Sequence, residues 1–538
     1  MNLTPKNIKA IESLMATAVG KDEPGIAVGI AQGGRMVWGG ARGLANLESQ
    51  TPFTTSTPFR VCSISKQFAC ALAMREVRAG RLRLDVHPGH YLPWASDLDP
   101  TLTVAHLMQN KSGIRDQWVM AMIMGAVATQ PFTLDDGMKM VRHAPGSMFA
   151  PGSRNLYCNV NFELLGQILE TVTGKAVADL LATNIFTPLG MSNSSLGVDT
   201  SQAIPGDTRG YRYINGRWEE EVNGIHWAAS AGIVSTAEDL LRWAACLRDP
   251  AAAGMPWVAD ILRTTPFNDG APAGYASGIN HLSGHGREVL MHSGGLRGWK
   301  SVLMHYVNED TSIAVLMNRN NAPKGKKMVR ALAHDIAAAL GIAPVWRQTI
   351  RKPPPGKLPA GATGAYVSKE QGLVVLLRDD KKGKKGAEAH SFLDWSQLHN
   401  TNEAGTLATD DGHVRLTFGV GSGMLLTDQG ENVCTTMRRI PKRAGTVFAA
   451  RGAYRCEPLA TTAKIAAKAG KLTIAFSGPF GAGDAYALTV LDANTAYFDI
   501  ARGVDEAPPG RFLLTYDAAA KSIELSATLA RRMVFRRR

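Results

Sequence analysis

Up to about residue 340 the chain alternates between two hydrophobic patterns. Stretches such as "SISKQFACALAMREVRAG" and "VNFELLGQILETVTGKAVADLLATNIF" carry the apolar spacing of amphipathic helices. Between them lie short apolar runs of strand length, "GIAVGIAQGGRMVWGG", "REVLMHSGG", "KSVLMHYV" and "TSIAVLMN". An early strand pair and a late strand trio, with helices between, predict one mixed antiparallel sheet flanked by helices.

The pattern changes at "RQTIRKPPPGKLPAG" (347–361), where three consecutive prolines favour an extended connector. Beyond it come short alternating runs, "GLVVLLRDD", "HVRLTFGV", "KLTIAFSG" and "RFLLTYDA", broken by Gly, Asp and Asn. "GAYVSKEQGLVVLL" from Gly364 and "GAYRCEPLATTAKIAA" from Gly452 open with the same tripeptide, an interval of 88 residues. Two related antiparallel barrels or sandwiches are the natural reading. The expected domains are 1–340, a Pro-rich linker at 341–361, and β domains at 362–445 and 446–538.

Bulk composition narrows the class of protein. With 538 residues, 45% hydrophobic and 20% charged, the chain is of the ordinary globular type and long enough for two to four domains. No stretch approaches the roughly 18 apolar residues of a membrane span. The opening "MNLTPKNIKAIESLMATAVGKDEPG" reads as an amphipathic helix without the order of a secretory signal, so a cytoplasmic location and no membrane are expected. A net charge of +13 raises nucleic-acid binding, with "KKGKK" (381–385) and "RRMVFRRR" (531–538) as its carriers. The first run, flanked by "RDD" and containing a glycine, reads as a solvated hairpin tip, and no recognition motif accompanies the second; no nucleic-acid partner is expected.

Six cysteines, Cys62, Cys70, Cys158, Cys246, Cys434 and Cys456, lack metal or disulfide spacing and are expected as free thiols. His281, His285 and His292 do not follow the i, i+4 pattern of a helical metal site and have no paired carboxylate, so no metal and no organic cofactor are implied.

The chemistry begins at "RVCSISKQF" (60–68). From Ser63 to Lys66 is almost one helical turn, which lets both side chains meet on one face. A serine hydroxyl at neutral pH needs a base within hydrogen-bond reach, and a neutral lysine is such a base. Ser65 is the rival nucleophile, but its own three-residue step reaches Phe68, which cannot act as a base. Cys62 and Cys158 read as space-filling neighbours of motif residues.

Further along, "YCN" (157–159) precedes a helix and "HSGG" (292–295) ends a strand-like run. The ordered set Ser-x-x-Lys, Tyr-x-Asn, His-x-Gly resembles the signature of the penicillin-recognising serine hydrolases: class C β-lactamases, D-alanyl-D-alanine peptidases, related esterases and D-aminopeptidases. "VAHLMQNKSGI", "PGSRNLYCN", "IFTPLGM" and "AGIVSTAEDLLRW" extend the likeness over about residues 20–340. It implies an α+β fold, a β-lactamase/transpeptidase-like catalytic domain followed by the two β-barrel domains.

The same resemblance implies roles. Ser63 is the nucleophile, and Lys66 or Tyr157 takes its proton; sequence leaves the two open. Asn159 holds Lys66 and the substrate amide, and His292 stands where many relatives carry lysine. The backbone N–H groups of Ser63 and Gly295 form the oxyanion hole.

The extra 190 or so residues, with "VCSISKQF", "YCNVNF", "GGLRGW" and "FSGPFGAGDAY" (476–486), resemble the D-stereospecific aminopeptidases most closely. In that subgroup the last segment is a loop reaching the catalytic cleft. It implies that Asp484, with Gly481 and Gly483, meets the α-ammonium of a substrate with a small N-terminal D-residue. Ser293 departs from that subgroup, which has glycine there. Short peptides, amides or esters are the expected substrates, β-lactams possible inhibitors, and a homodimer the expected assembly. The alternatives are an esterase, β-lactamase or D-alanyl-D-alanine carboxypeptidase of the same mechanism, or a non-catalytic penicillin-binding-like sensor or scaffold.

Overall fold

The computed structural model of the chain describes residues 3–144, 146–346, 354–379, 386–390, 395–420, 423–441, 446–468, 471–505 and 509–538. The "KKGKK" run and residues 347–353 of the connector lie outside them. Two compact units emerge: one holds 1–112, 131–134 and 159–350, the other 113–130, 135–158 and 351–538. Residues 113–130 and 135–158, expected with the N-terminal helices, therefore group with the C-terminal strands.

The first unit is built on a six-stranded sheet of β1 (Ile26–Gln32), β2 (Arg35–Arg42), β3 (Asn280–Gly284), β4 (Arg287–Leu296), β5 (Trp299–Tyr306) and β6 (Thr311–Met317). Its order is β3-β4-β5-β6-β1-β2 with every neighbour antiparallel. The late set thus has four strands rather than the expected three. β3, "NHLSG", lies at the sheet edge and has only partly buried or exposed residues, so it lacks the apolar run that marks the others.

Alternation along β1 decides what packs where. Ile26, Val28 and Ile30 face one side, in one core with Val302, Met304, Ile313, Val315 and Met317. On that face lie Ile11 and Met15 of helix α1 (Pro5–Ala18) and Leu332 and Ile336 of a C-terminal helix, Val329–Ala339. Each fully buried aliphatic side chain contributes about 1.5–3 kcal/mol, more than helix propensity supplies over a whole turn. On the opposite side β1 carries Ala27, Gly29 and Ala31, and a Cβ on Gly29 would lie 2.8 Å from Leu241 Cδ1 of the helix Ala237–Arg248. Small residues on that face let the helix come close. None of the helices among the described residues is long and apolar enough to cross a membrane.

The second unit contains two nine-stranded antiparallel sheets among its described residues, each a nearly closed barrel. The first comprises β7 (Gly364–Ser368), β8 (Leu373–Asp379), β9 (Ala387–His390), β10 (Trp395–Gln397), β11 (His399–Asn400), β12 (Thr406–Ala408), β13 (Val414–Val420), β14 (Gly423–Asp428) and β15 (Val433–Ile440). The second comprises β16 (Gly452–Cys456), β17 (Thr461–Lys468), β18 (Lys471–Gly478), β19 (Gly481–Ala487), β20 (Thr489–Asp492), β21 (Thr495–Ile500), β22 (Gly510–Asp517), β23 (Ser522–Ala527) and β24 (Ala530–Arg537).

The shared Gly-Ala-Tyr has a structural basis. β7 pairs with the next strand, β8, and with the last, β15, and β16 does the same with β17 and β24. In both copies the buried tyrosine turns back to the chain just upstream. Tyr366 Oη donates to the Ala362 carbonyl at 3.0 Å and Tyr454 Oη to that of Arg451 at 3.4 Å. The basic terminal run is β24, which buries Met533 and Phe535 on alternate positions and exposes Val534 between them.

Candidate active site

Just before helix α2 (Ser65–Arg78) the chain makes a tight turn, Cys62–Ile64. Cys62 enters it at φ 56°, a conformation that costs a non-glycine residue about 1–3 kcal/mol and persists only where neighbours enforce it. Those neighbours are identifiable. The Val61 carbonyl accepts the Ser301 hydroxyl at 2.8 Å, and Val61 N–H donates to the Ile233 carbonyl at 2.9 Å. From β4, Gly294 abuts the same turn: a Cβ there would lie 2.3 Å from Ser301 Oγ and 2.5 Å from the Val61 carbonyl oxygen. Only glycine lets this strand approach Ser63's turn so closely.

Ser65 is a staple of that turn. Fully buried, its hydroxyl donates to the Cys62 carbonyl at 2.6 Å and accepts the Ile233 N–H at 3.1 Å. Ser63 is only partly buried, and its Oγ stands 3.1 Å from Lys66 Nζ.

Lys66 has no exposed surface and gathers further partners from two other segments. Its Nζ donates to Asn159 Oδ1 at 2.9 Å and to the Ser230 carbonyl at 2.8 Å, and lies 5.2 Å from the centre of the Phe162 ring. Asn159 and Phe162 come from the start of the helix Val160–Thr173, whose N-cap is Asn159. An amide oxygen and a carbonyl can only accept. In the neutral amine they take both N–H bonds, which leaves the lone pair to the Ser63 hydroxyl. This is the arrangement a general base requires.

Glu163, one turn into the same helix, was not singled out from sequence. Its buried carboxylate accepts the Ser230 hydroxyl, the Ser230 N–H at 3.3 Å and the Ala228 N–H at 3.1 Å. Burial raises its pKa, and these donors and the Lys66 charge act against that rise. Glu163 therefore fixes the segment whose carbonyl holds Lys66. An acidic residue within the apolar run "VNFELLGQIL" was the available signal.

His292 is on β4, buried and neutral: burial and the Lys66 charge push its pKa down to about 3. Nδ1 lies 2.6 Å from the Ser293 carbonyl, so it carries the proton, and Nε2 accepts the Tyr275 hydroxyl at 3.2 Å. Tyr275, from the irregular stretch "APAGYASGIN", had no motif to reveal it. His281 is tied elsewhere, to the Leu262 carbonyl at 2.8 Å and Glu288 at 3.0 Å. Gly295 follows on β4, opposite Lys300 of β5.

Tyr157 and Asp484 both belong to the second unit. Tyr157 is partly buried at the end of the loop 151–158. The Asp484 segment, expected as a loop, is a β-hairpin of β18 and β19 turning at Pro479–Phe480. Pairing steps from Ala475↔Ala485 to Ser477↔Ala482, so Gly483 and Asp484 form a β-bulge opposite Phe476. Bulges re-aim side chains, and Asp484 is exposed. The hairpin tip is seated on residues 124–126. Phe480 N–H donates to the Met124 carbonyl at 3.2 Å, and a Cβ on Gly125, itself at φ 93°, would lie 2.2 Å from the Gly481 carbonyl oxygen.

The family model described as Beta-lactamase matches residues 9–338. The chain belongs to the β-lactamase family. Within it, a second model described as D-aminopeptidase, domain B, matches residues 357–536 of this β-lactamase-family chain. A protein named D-aminopeptidase from Brucella melitensis biotype 2 is 30% identical over 524 residues, 96% of each chain. One of the same name from Gluconobacter oxydans is 29% identical with the same coverage. Among solved structures, the octameric penicillin-binding protein homologue from Pyrococcus abyssi aligns with 94% of this chain and 99% of its own at TM-score 0.53 and 16% identity. A D-amino acid amidase from Ochrobactrum anthropi SV3 aligns with 62% of this chain and 99% of its own at TM-score 0.52 and 20% identity. At such identities these two establish the fold of a β-lactamase-family protein.

Proposed function

We propose that this protein is a D-stereospecific serine aminopeptidase that releases N-terminal D-residues, small ones such as D-alanine, from short peptides, amides and esters. The observation that carries the reading is the buried Lys66, held by Asn159 and the Ser230 carbonyl with its Nζ 3.1 Å from Ser63 Oγ. Relatives named D-aminopeptidase, matched along 96% of the chain, support the substrate class.

In this reading Ser63 Oγ attacks the substrate carbonyl carbon while Lys66 or Tyr157 takes its proton. The N–H groups of Ser63 and Gly295 stabilise the oxyanion, and the approach of Gly294 to the Val61–Cys62 backbone supports that assignment. The C–N or C–O bond then breaks, the leaving group takes up a proton, and water hydrolyses the acyl-enzyme to restore Ser63. Neutral His292 lines the cleft as a hydrogen-bonding group. Asp484, presented in its bulge beside Gly483 with Gly481 at the hairpin tip, pairs with the substrate's α-ammonium.

The division into a catalytic domain 1–340, linker 341–361 and barrels 362–445 and 446–538 belongs to this proposal. So do inhibition by β-lactams, a homodimer on the family resemblance, and a cytoplasmic location. For the last, six cysteines that form no disulfide, five of them buried, suit a reducing compartment.

Release of p-nitroaniline from D-alanine and L-alanine p-nitroanilides tests the reading. D-selective turnover is expected, abolished in Ser63→Ala and weakened for free-amine substrates in Asp484→Ala. Turnover of an N-acylated ester or a cephalosporin with neither anilide cleaved would retain the serine hydrolase and remove the aminopeptidase.

A further inference from the structure

The loop that ends at Tyr157 is gripped by both barrels of its own unit. Arg154, three residues upstream, points its guanidinium at the turn between β14 and β15, where Nη2 lies 3.4 Å from Glu431 Oε2. Backbone bonds run alongside: Asn155 N–H donates to the Glu431 carbonyl at 3.3 Å, and Asn432 Nδ2 donates to the Ser153 carbonyl at 3.0 Å. Asn432 makes that turn at φ 56°. Arg531, on β24 of the second barrel and buried, brings a second guanidinium to the same carboxylate at 3.6 Å. Arg154 and Arg531 also share Gln371 Oε1, from the turn between β7 and β8, the latter at 3.3 Å. Phe149, just before the loop, stacks under Arg154, with the guanidinium carbon 5.4 Å from the ring centre.

Two like charges brought together in a partly dry site repel unless an anion joins them. Glu431 is that anion, and it belongs to the first barrel while Arg531 belongs to the second and Arg154 to the loop. Removing it would leave two guanidinium groups facing one another at the base of the loop. From Arg154 to Tyr157 is only three residues, on the order of 10 Å of extended chain, so a shift at one end is carried to the other.

We infer that Glu431, with Arg154 and Arg531, is a positioning group for Tyr157. The C-terminal barrels then set the proton carrier's geometry besides presenting Asp484. This inference rests on the reading of Tyr157 as a proton carrier in the proposed mechanism. Neither Glu431 nor Arg531 touches substrate in it. Around Glu431 stand Arg154, Arg531 and Asp428; burial and the Asp428 charge push its carboxyl up to about 7, so the ion pairs are complete above that pH.

The test uses full-length protein at pH 8 carrying Glu431→Ala, Glu431→Gln, Arg154→Ala, the Arg154→Ala/Glu431→Ala double variant, or Tyr157→Phe. Turnover of D-alanine p-nitroanilide and of an N-acylated p-nitrophenyl ester is measured beside hydrogen exchange of the amides at 149–158. Each single clamp variant is expected to lower kcat tenfold or more on both substrates, with KM within twofold. The double variant is expected to be no worse than the poorer single, and exchange at 152–157 to accelerate while that of the barrel strands stays as in the parent. An inactive Tyr157→Phe beside clamp variants with parental kcat, or with parental exchange at 152–157, would overturn the inference alone. Full activity in Tyr157→Phe would remove the proton-carrier reading and the catalytic part of the inference together.

Discussion

Glu163 and Ser230 are joined through both the hydroxyl and the N–H of the serine, while the Ser230 carbonyl is left to hold Lys66. Burial works against this carboxylate and the donors offset only part of that cost, but truncating it strands those donors at about 1–3 kcal/mol each. Glu163→Ala is therefore expected to lose several kcal/mol in denaturant unfolding and to lower kcat at least tenfold. Glu163→Gln, which keeps an acceptor, is expected to recover most of the stability. Parental kcat in Glu163→Ala would show that the Ser230 carbonyl does not matter to Lys66.

Asn159 Oδ1, beside the Ser230 carbonyl, accepts from the Lys66 amine and orients it. Its loss weakens the alignment of Nζ on Ser63. Asn159→Ala is expected to reduce kcat by about 100-fold, within the usual range for a group that aligns a general base, with KM changed less. Acylation measured in a single turnover with a p-nitrophenyl ester locates the loss; a defect confined to deacylation would contradict this account.

His292 gives a pH signature. Its pKa is about 3 in the folded protein and near 6.5 in the unfolded chain. Between those values the unfolded chain binds the proton and the folded protein does not. The stability due to this group is thus complete above pH 6.5 and is lost as pH falls toward 3, by at most roughly 1.4 kcal/mol per pH unit. His292→Gln should show a shallower fall in unfolding free energy between pH 6.5 and 5 than the parent. Identical slopes would mean that His292 takes up its proton within the native fold.

Gly125 supports the hairpin that carries Asp484. Its φ of 93° is strained for any L-residue, and an added Cβ would meet the Gly481 carbonyl at 2.2 Å. Gly125→Ala is expected to displace the hairpin tip and raise KM several-fold for free-amine substrates, while N-acylated esters are cleaved as before. An equal loss on both substrate types would assign the hairpin to general catalysis instead.

How much of this was visible in the chain depends on how local each feature is. Ser63 and Lys66 are three residues apart and meet through helix geometry alone, so spacing sufficed. The strands β1, β4, β5 and β6 are buried on both faces or nearly so and read as apolar runs; β3 is an exposed edge and gave no such signal. The loop at Asp484 is an expectation from the family resemblance, and in β19 glycines and an exposed edge leave no alternation that would mark the strand. The three-residue step from Ser65 leads to Phe68, which is no base, and its hydroxyl is engaged by the Cys62 carbonyl and the Ile233 N–H.

By itself the sequence determined the antiparallel β-lactamase-like frame, the paired barrels and the order of the reactive side chains. Periodicity and short-range steps encode these, and they act over a few residues. Only tertiary structure decided that Glu163 anchors Ser230, that Tyr275 orients His292, and that Arg154 and Arg531 converge on Glu431. Those partners lie 17 to 277 residues apart in the chain. Nothing in local spacing links such positions; burial removes water as their partner and makes each buried donor or acceptor find another in whichever segment folding brings beside it.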